Sequence, residues 1–293
     1  MILYPNLRLI LDLMQASMIS EISRIILEVI MKNNHRLAGG LAVFAALLGI
    51  IGTYLIFLNW YTPARTAKAA EPGCEILLKY LMPALSDFGI VAGTLYAVSA
   101  YGFFTSASWA FPVVVLANVL ALQGSWFINV PMMAADLPPI YFIIFWPNLI
   151  LYFLFMKGYR DLSWGRTLFG LLTGACFIFC FMNGVASWSR ILTIGSHIFV
   201  IVQRMNWIAS ISLAVVTVSL LLRPKEWTKV LAISGALLEL IVGIPLAINT
   251  TMGLGRFSLF SLGPIFCLIL LVLLLWPGLW GKVMGTSESQ KGA

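Results

Sequence analysis

The sequence predicts an all-α fold, a polytopic helical integral membrane protein of about eight transmembrane helices. Three observations predict it. Hydrophobic residues make up 61% of the chain and charged ones 10%, with mean hydropathy +0.97. A soluble domain carries about a quarter charged residues, so this much apolar surface needs lipid as its solvent. The apolar residues fall in runs of about 20, the length that crosses a bilayer. From Phe88 to Ala135 there is no charged residue at all. Backbone groups in lipid must pair internally, so each crossing is a helix.

The spans follow in order. Leu37–Leu58 is the first. The uncharged stretch holds a second at 82–104 and a third at 109–127, split by the small polar turn Thr105-Ser106-Ala107-Ser108. Ile140–Met156, Thr167–Val185, Asn206–Leu222, Val230–Ile248 and Phe257–Leu275 complete the set. Residues 31–281 therefore form a single transmembrane domain, followed by a short cytoplasmic tail at 282–293. Residues 1–30 mix Leu and Ile with Arg8, Asp12, Glu21, Arg24 and Glu28, so they do not span. They read as an amphipathic segment in the interface. The stretch "MKNNHR" from Met31 reads equally well as a translation start, with 1–30 an upstream extension. A signal peptide has an apolar region of about 7–15 residues; the first span is longer, which predicts a retained helix.

Residues 188–203 resist this scheme. Arg190 and Arg204 bracket an uncharged run with His197 inside it, too short to cross on its own. A short outer interfacial or re-entrant segment is the expectation, with a ninth span as the alternative.

Loop cations set the orientation. With the N-terminus inside, the inner side holds Lys32, Arg36, Lys157, Arg160, Arg166, Arg223, Lys225, Lys229, Lys282 and Lys291. The outer side holds Arg65, Lys68, Lys79, Arg190, Arg204 and Arg256. This bias places both termini in the cytoplasm, in what reads as a bacterial or archaeal cytoplasmic membrane. The positive net charge is scattered between apolar runs, with no basic helix, so nucleic acid is not an expected partner.

Weak internal similarity suggests a 4+4 parallel repeat. "INVPM" (128–132) and "INTTM" (248–252) follow the third and seventh spans. Trp109 and Trp227 open the same spans, and Pro147 and Pro264 lie in the fourth and eighth. Parallel repeats occur in transporters, but short matches among apolar helices also arise by chance.

Ionisable groups inside a span default to functional candidates. Glu239 sits mid-span in the seventh helix, with Gly235 and Gly243 one turn before and after on the same face. Small residues let a neighbour pack closely, so Glu239 points into the bundle. It either ties two helices together or carries a proton or cation. Asp87, near the outer end of the second span, shares its level with a candidate outer charged layer of Lys79, Arg190, Arg204, Arg256 and His197. That layer is either a structural ion pair or a vestibule for an anionic or zwitterionic ligand. Asn118 and Asn183 add polarity inside the third and fifth spans, as do Gln123 and Asn148. Such residues usually bridge helices. Thr173, Cys176, Cys180, Asn183, Gly184 and Ser187 form one stripe at helical spacing, read as a packing face.

No cofactor is expected. Cys176 and Cys180 are one turn apart, but zinc-ligand patterns are absent. His35 and His197 lie at opposite ends, which disfavours a bis-histidine haem. No nucleotide, protease or hydrolase motif is present, which leaves catalysis unsupported. Three readings stand, in order. The first is a small-molecule or ion carrier with Glu239 at the midplane. The second is a non-catalytic membrane subunit or assembly factor, and the third a membrane enzyme without a recognisable motif. The lipid bilayer is the expected partner; a small-molecule ligand is open.

Overall fold

The computed structural model describes residues 31–69, 71 and 73–284. The expected N-terminal segment at 1–30 and the end of the tail lie outside them. Seven helices are long and apolar enough to cross a membrane. They are α1 (His35–Thr66), α2 (Cys74–Phe104), α3 (Ala110–Ala134), α4 (Phe142–Tyr159), α5 (Trp164–Ile194), α6 (His197–Leu222) and α7 (Glu226–Leu254). An eighth apolar helix, α8 (Leu259–Leu275), is shorter and opens with a tight 3-10 turn at Leu259–Ser261. A final short helix, α9, covers Leu279–Met284. No strand occurs among the described residues. The chain is an all-α polytopic membrane protein.

Successive helices alternate in direction, so the bundle has two ends. The near end carries the start of α1 and α3, the ends of α2 and α4, and α9. The far end carries Thr66, Cys74, Ile194 and His197. Each helix packs against the next, and within each group of four the fourth helix returns to the first. The halves α1–α4 and α5–α8 thus share one contact pattern, and they meet chiefly where α3 lies against α6 and α5. That pattern is what two parallel four-helix units would give, and also what any up-and-down bundle gives.

The helix ends have ordinary chemical causes. The Asn34 side chain accepts from the Leu37 amide and caps α1. The Ser163 hydroxyl accepts from Arg166 and caps α5. In α1 a π-turn at Leu48–Gly52 brings Gly49 against Gly93 of α2. A Cβ built on Gly49 would lie 2.8 Å from the Gly93 Cα. The two backbones touch, and no side chain fits between them.

Two expectations need correction. The segment 188–203 is neither interfacial nor re-entrant. It is the last turns of α5 and the first turns of α6, joined at Gly195 and Ser196. The Gly195 φ of 63° makes this tight reversal possible. The uncharged run looked too short to span because it holds the tips of two helices, each of which spans with residues on its other side. The second span is also longer than expected. It begins at Cys74 rather than 82, since Lys79 sits on the exposed face of the same helix and does not end it.

Candidate functional site

Glu239 is fully buried between α5, α7 and α8. Its Oε1 accepts a hydrogen bond from Asn183 Nδ2 at 2.9 Å. The same amide nitrogen donates to the Phe260 carbonyl at 3.2 Å, in the turn that opens α8. Three helices are thereby tied at one point. Two small residues make room for the carboxyl. A Cβ on Gly243 would lie 2.6 Å from Glu239 Oε1, and one on Gly263 would overlap both the carboxyl and the Asn183 amide. The expectation that Gly243 lines the Glu239 face holds. Gly235 instead meets Ser212 and Leu213 of α6.

The knot is incomplete. Glu239 Oε2 and Asn183 Oδ1 are both buried without a hydrogen-bond partner among the described residues. Buried polar atoms are normally satisfied, and leaving one unpaired in a low dielectric is costly. Two orphan oxygens in one knot make a place for a species that offers positive charge or a donor. Beside them, Cys180 Sγ of α5 and Cys267 Sγ of α8 lie 3.8 Å apart. Cys176 is one turn earlier in α5 and also fully buried. Among the described residues no group of three or more His, Cys, Asp or Glu is arranged to hold a metal ion.

The polar stripe of α5 points inward throughout: Thr173, Cys176, Cys180, Asn183, Gly184 and Ser187 are all buried. Thr173 receives a hydrogen bond from Thr217 of α6 at 3.0 Å. Asn118 does not join Asn183. It belongs to a separate knot in the first half. There Asn118 Nδ2 donates to Tyr96 Oη at 2.9 Å and to the Asn148 carbonyl at 3.1 Å. Tyr96 in turn donates to Asn148 Oδ1 at 3.2 Å. Gln123, grouped with them on sequence, bridges nothing among the described residues: both ends of its side-chain amide are buried and unpartnered there.

The far-end charged layer forms around a different acid from the expected one. Glu71 accepts from Arg190 at 3.2 Å and from Arg256. Arg190 is buried, and its guanidinium lies over the Phe260 ring at 5.2 Å and the Phe199 ring at 6.0 Å. Its Nε has no hydrogen-bond partner among the described residues. Glu71, Arg190, Arg256 and Phe260 line a cavity of about 80 Å³ together with Ser189 and Ser258. Asp87 is not part of it. Asp87 lies on the exposed face of α2 and makes no ion pair among the described residues. Lys79, Arg204 and His197 are exposed as well. The signal that could have excluded Asp87 was present. Ser86, Gly89, Gly93 and Tyr96 follow helical spacing and mark the packed face, which leaves 87 outside it.

Phe260 connects the two sites. Its ring faces Arg190 at the far end, and its carbonyl receives Asn183 at the Glu239 knot. Neither Phe260 nor Cys267 could be placed there from spacing, because α8 reaches α5 only through the tertiary fold. No family model matches the chain, and no curated protein or solved structure matches it either.

Proposed function

We propose that the protein is a carrier that couples a small solute to a proton or small cation, with Glu239 as the coupling group. The observation that carries this reading is the pair of orphan oxygens, Glu239 Oε2 and Asn183 Oδ1. Ionisable groups at membrane depth default to ion and proton pathways. A sealed carboxylate needs a proton or cation to be neutral, and nothing in the knot supplies positive charge. Entry is proposed from the far end, where the Glu71, Arg190 and Arg256 cavity is divided from the knot by the Phe260 turn. In this reading a ligand that draws Arg190 off the Phe260 ring would loosen the turn and admit water to Glu239. The near end, which gathers Lys157, Arg160, Arg166, Arg223, Lys225 and Lys229, is taken as cytoplasmic. The far end then faces outward.

The test uses Glu239→Gln, which keeps the shape and the bond from Asn183. The variant is expected to melt in detergent like the parent. In the parent a carboxyl infrared band should titrate with pH, and in E239Q that band should be gone, along with any pH-driven proton uptake in dye-loaded proteoliposomes. An unchanged band and unchanged uptake would remove the coupling role.

A second reading, a non-catalytic membrane subunit or assembly factor, draws on the complete burial of Glu239. There the acid only ties α5, α7 and α8 together. E239Q then leaves every functional measurement untouched, and a melt that collapses points to structure rather than coupling.

A further inference from the structure

A wide cavity lies away from Glu239, at the near end, in the seam between the two halves. It measures about 990 Å³ and opens to the outside of the bundle. Its walls are of two kinds. At the mouth stand Arg160, Arg166, Arg223 and Lys225, with Ser106, Ser108 and Ser219 beside them. Deeper in, the walls are apolar: Phe111, Leu116 and Leu120 of α3 face Val215 and Val218 of α6, with Phe177 of α5 behind them.

Among the described residues the lining contains no aspartate or glutamate to balance the charge at the mouth. The acids that lie nearby in sequence are engaged elsewhere. Asp161 is held by Lys32 and Lys157, and Glu226 accepts from the Trp280 indole. Two of the cations are also held in place. Arg160 stacks over the Phe111 ring at 5.7 Å, at the top of the apolar wall. Arg166 donates to the backbone carbonyls of Leu220 and Leu222, which fixes its guanidinium at the end of α6. Arg223 and Lys225 are exposed and make no ion pair among the described residues.

The length of the groove matches one leaflet. Phe111 and Leu120 are nine steps apart, or about 14 Å of helix at 1.5 Å per residue. Half of a hydrocarbon core of about 30 Å is about 15 Å. A ligand that fills such a groove has an anionic head at the level of the helix ends and an apolar tail one leaflet deep. We propose that this groove binds an anionic phospholipid from the leaflet at the near end. Its phosphate sits among Arg160, Arg166, Arg223 and Lys225, and one acyl chain lies between α3 and α6. Basic pockets between transmembrane helices bind anionic headgroups by this chemistry. The site does not depend on the role of Glu239. It would place a lipid across the joint between α1–α4 and α5–α8, where it holds or limits their relative motion.

The test uses the full chain in two measurements. Native mass spectrometry in detergent compares added phosphatidylglycerol with phosphatidylcholine. The parent is expected to retain one phosphatidylglycerol in preference. Arg223→Gln combined with Lys225→Gln should weaken that retention by about tenfold or more. Val215→Trp, which fills the exposed apolar wall without changing charge, should also weaken it. Lys229→Gln, which removes a charge from the same region outside the groove, should leave it as it is. Equal retention of the two lipids overturns the proposal, and so does equal loss in K229Q and the double variant. The second measurement places a photo-crosslinking amino acid at position 215, in vesicles of phosphatidylglycerol and phosphatidylethanolamine. A lipid adduct is expected. An adduct to a peptide from residues 1–30 would show the groove filled by the chain itself and overturns the lipid assignment.

Discussion

The two halves of the bundle each bury a polar knot, and the knots differ in how they close. In the first half, Tyr96, Asn118 and Asn148 exchange hydrogen bonds among three helices, and only one acceptor, Asn118 Oδ1, is left over. All of its members are uncharged at any ordinary pH. In the second half, Asn183 must serve both Glu239 and the Phe260 carbonyl, and one oxygen of each polar side chain goes unpaired. A knot built from amides and a phenol can satisfy itself and hold helices still. A knot built around a carboxyl leaves Glu239 Oε2 without a partner among the described residues, and under the proposed coupling role that oxygen takes a proton or cation. One knot reads as a rivet and the other, under the proposed coupling role, as an open valence.

The comparison can be broken hardest at Gly263. A side chain there collides with both Glu239 and Asn183. Gly263→Val is expected to cost about 1–3 kcal/mol or more through overpacking, seen as a large drop in the detergent melt. A melt close to that of the parent would mean that the second knot is loose enough to absorb a side chain.

A smaller effect sharpens the difference between the knots. Asn118→Ala leaves the Asn148 carbonyl and the Tyr96 hydroxyl short of a donor, and is expected to cost about 1–2 kcal/mol. Its effect should be the same at every pH between 5 and 9. Asn183→Ala removes the amide donor from the Glu239 carboxyl, so under the proposed coupling role its effect on the melt should vary with pH. Parallel pH profiles for the two variants would erase the distinction between rivet and open valence.

The smallest effect lies outside both knots, at the near end. The ammonium groups of Lys157 and Lys32 hold the Asp161 carboxyl below the usual carboxylate range. A depressed folded-state value stabilises above the unfolded value of about 3.9. That contribution is lost as pH falls through the lower folded value. Asp161 has φ 52°, a conformation that asparagine also tolerates, so Asp161→Asn removes the charge without straining the turn. The expected loss is below about 1 kcal/mol at neutral pH, vanishing in strong acid. A loss that persists unchanged below pH 2 would refute the ion-pair origin.

The apolar runs and most of the span order were legible in the sequence, because lipid imposes one length and one secondary structure on anything that crosses it. The inward face of Glu239 was half legible: Gly243 met it as spacing implied, while Gly235 turned to α6. Asp87 was misplaced because its depth was read without its angle around the helix. Glu71 was missed for the opposite reason. It sits in a loop beside Pro72 and Gly73, where hydropathy says nothing, and only the fold brings Arg190 and Arg256 to it. The tips of α5 and α6 were mistaken for a separate element because a two-residue reversal leaves almost no polar mark in the chain.

The contact of Gly49 with Gly93 has a consequence for any survey of variants. Gly124 is in the same position, since a Cβ there would lie 2.9 Å from the Leu85 carbonyl oxygen. None of these residues offers a functional group. A deep mutational scan read by survival would still rank all three with Glu239 or above it, since every replacement must force two helices apart. A carboxyl that works chemically should instead accept aspartate poorly and glutamine not at all, while keeping the protein abundant in the membrane. Tolerance must therefore be scored against abundance at each position. Only sites that lose activity without losing protein belong to the chemistry.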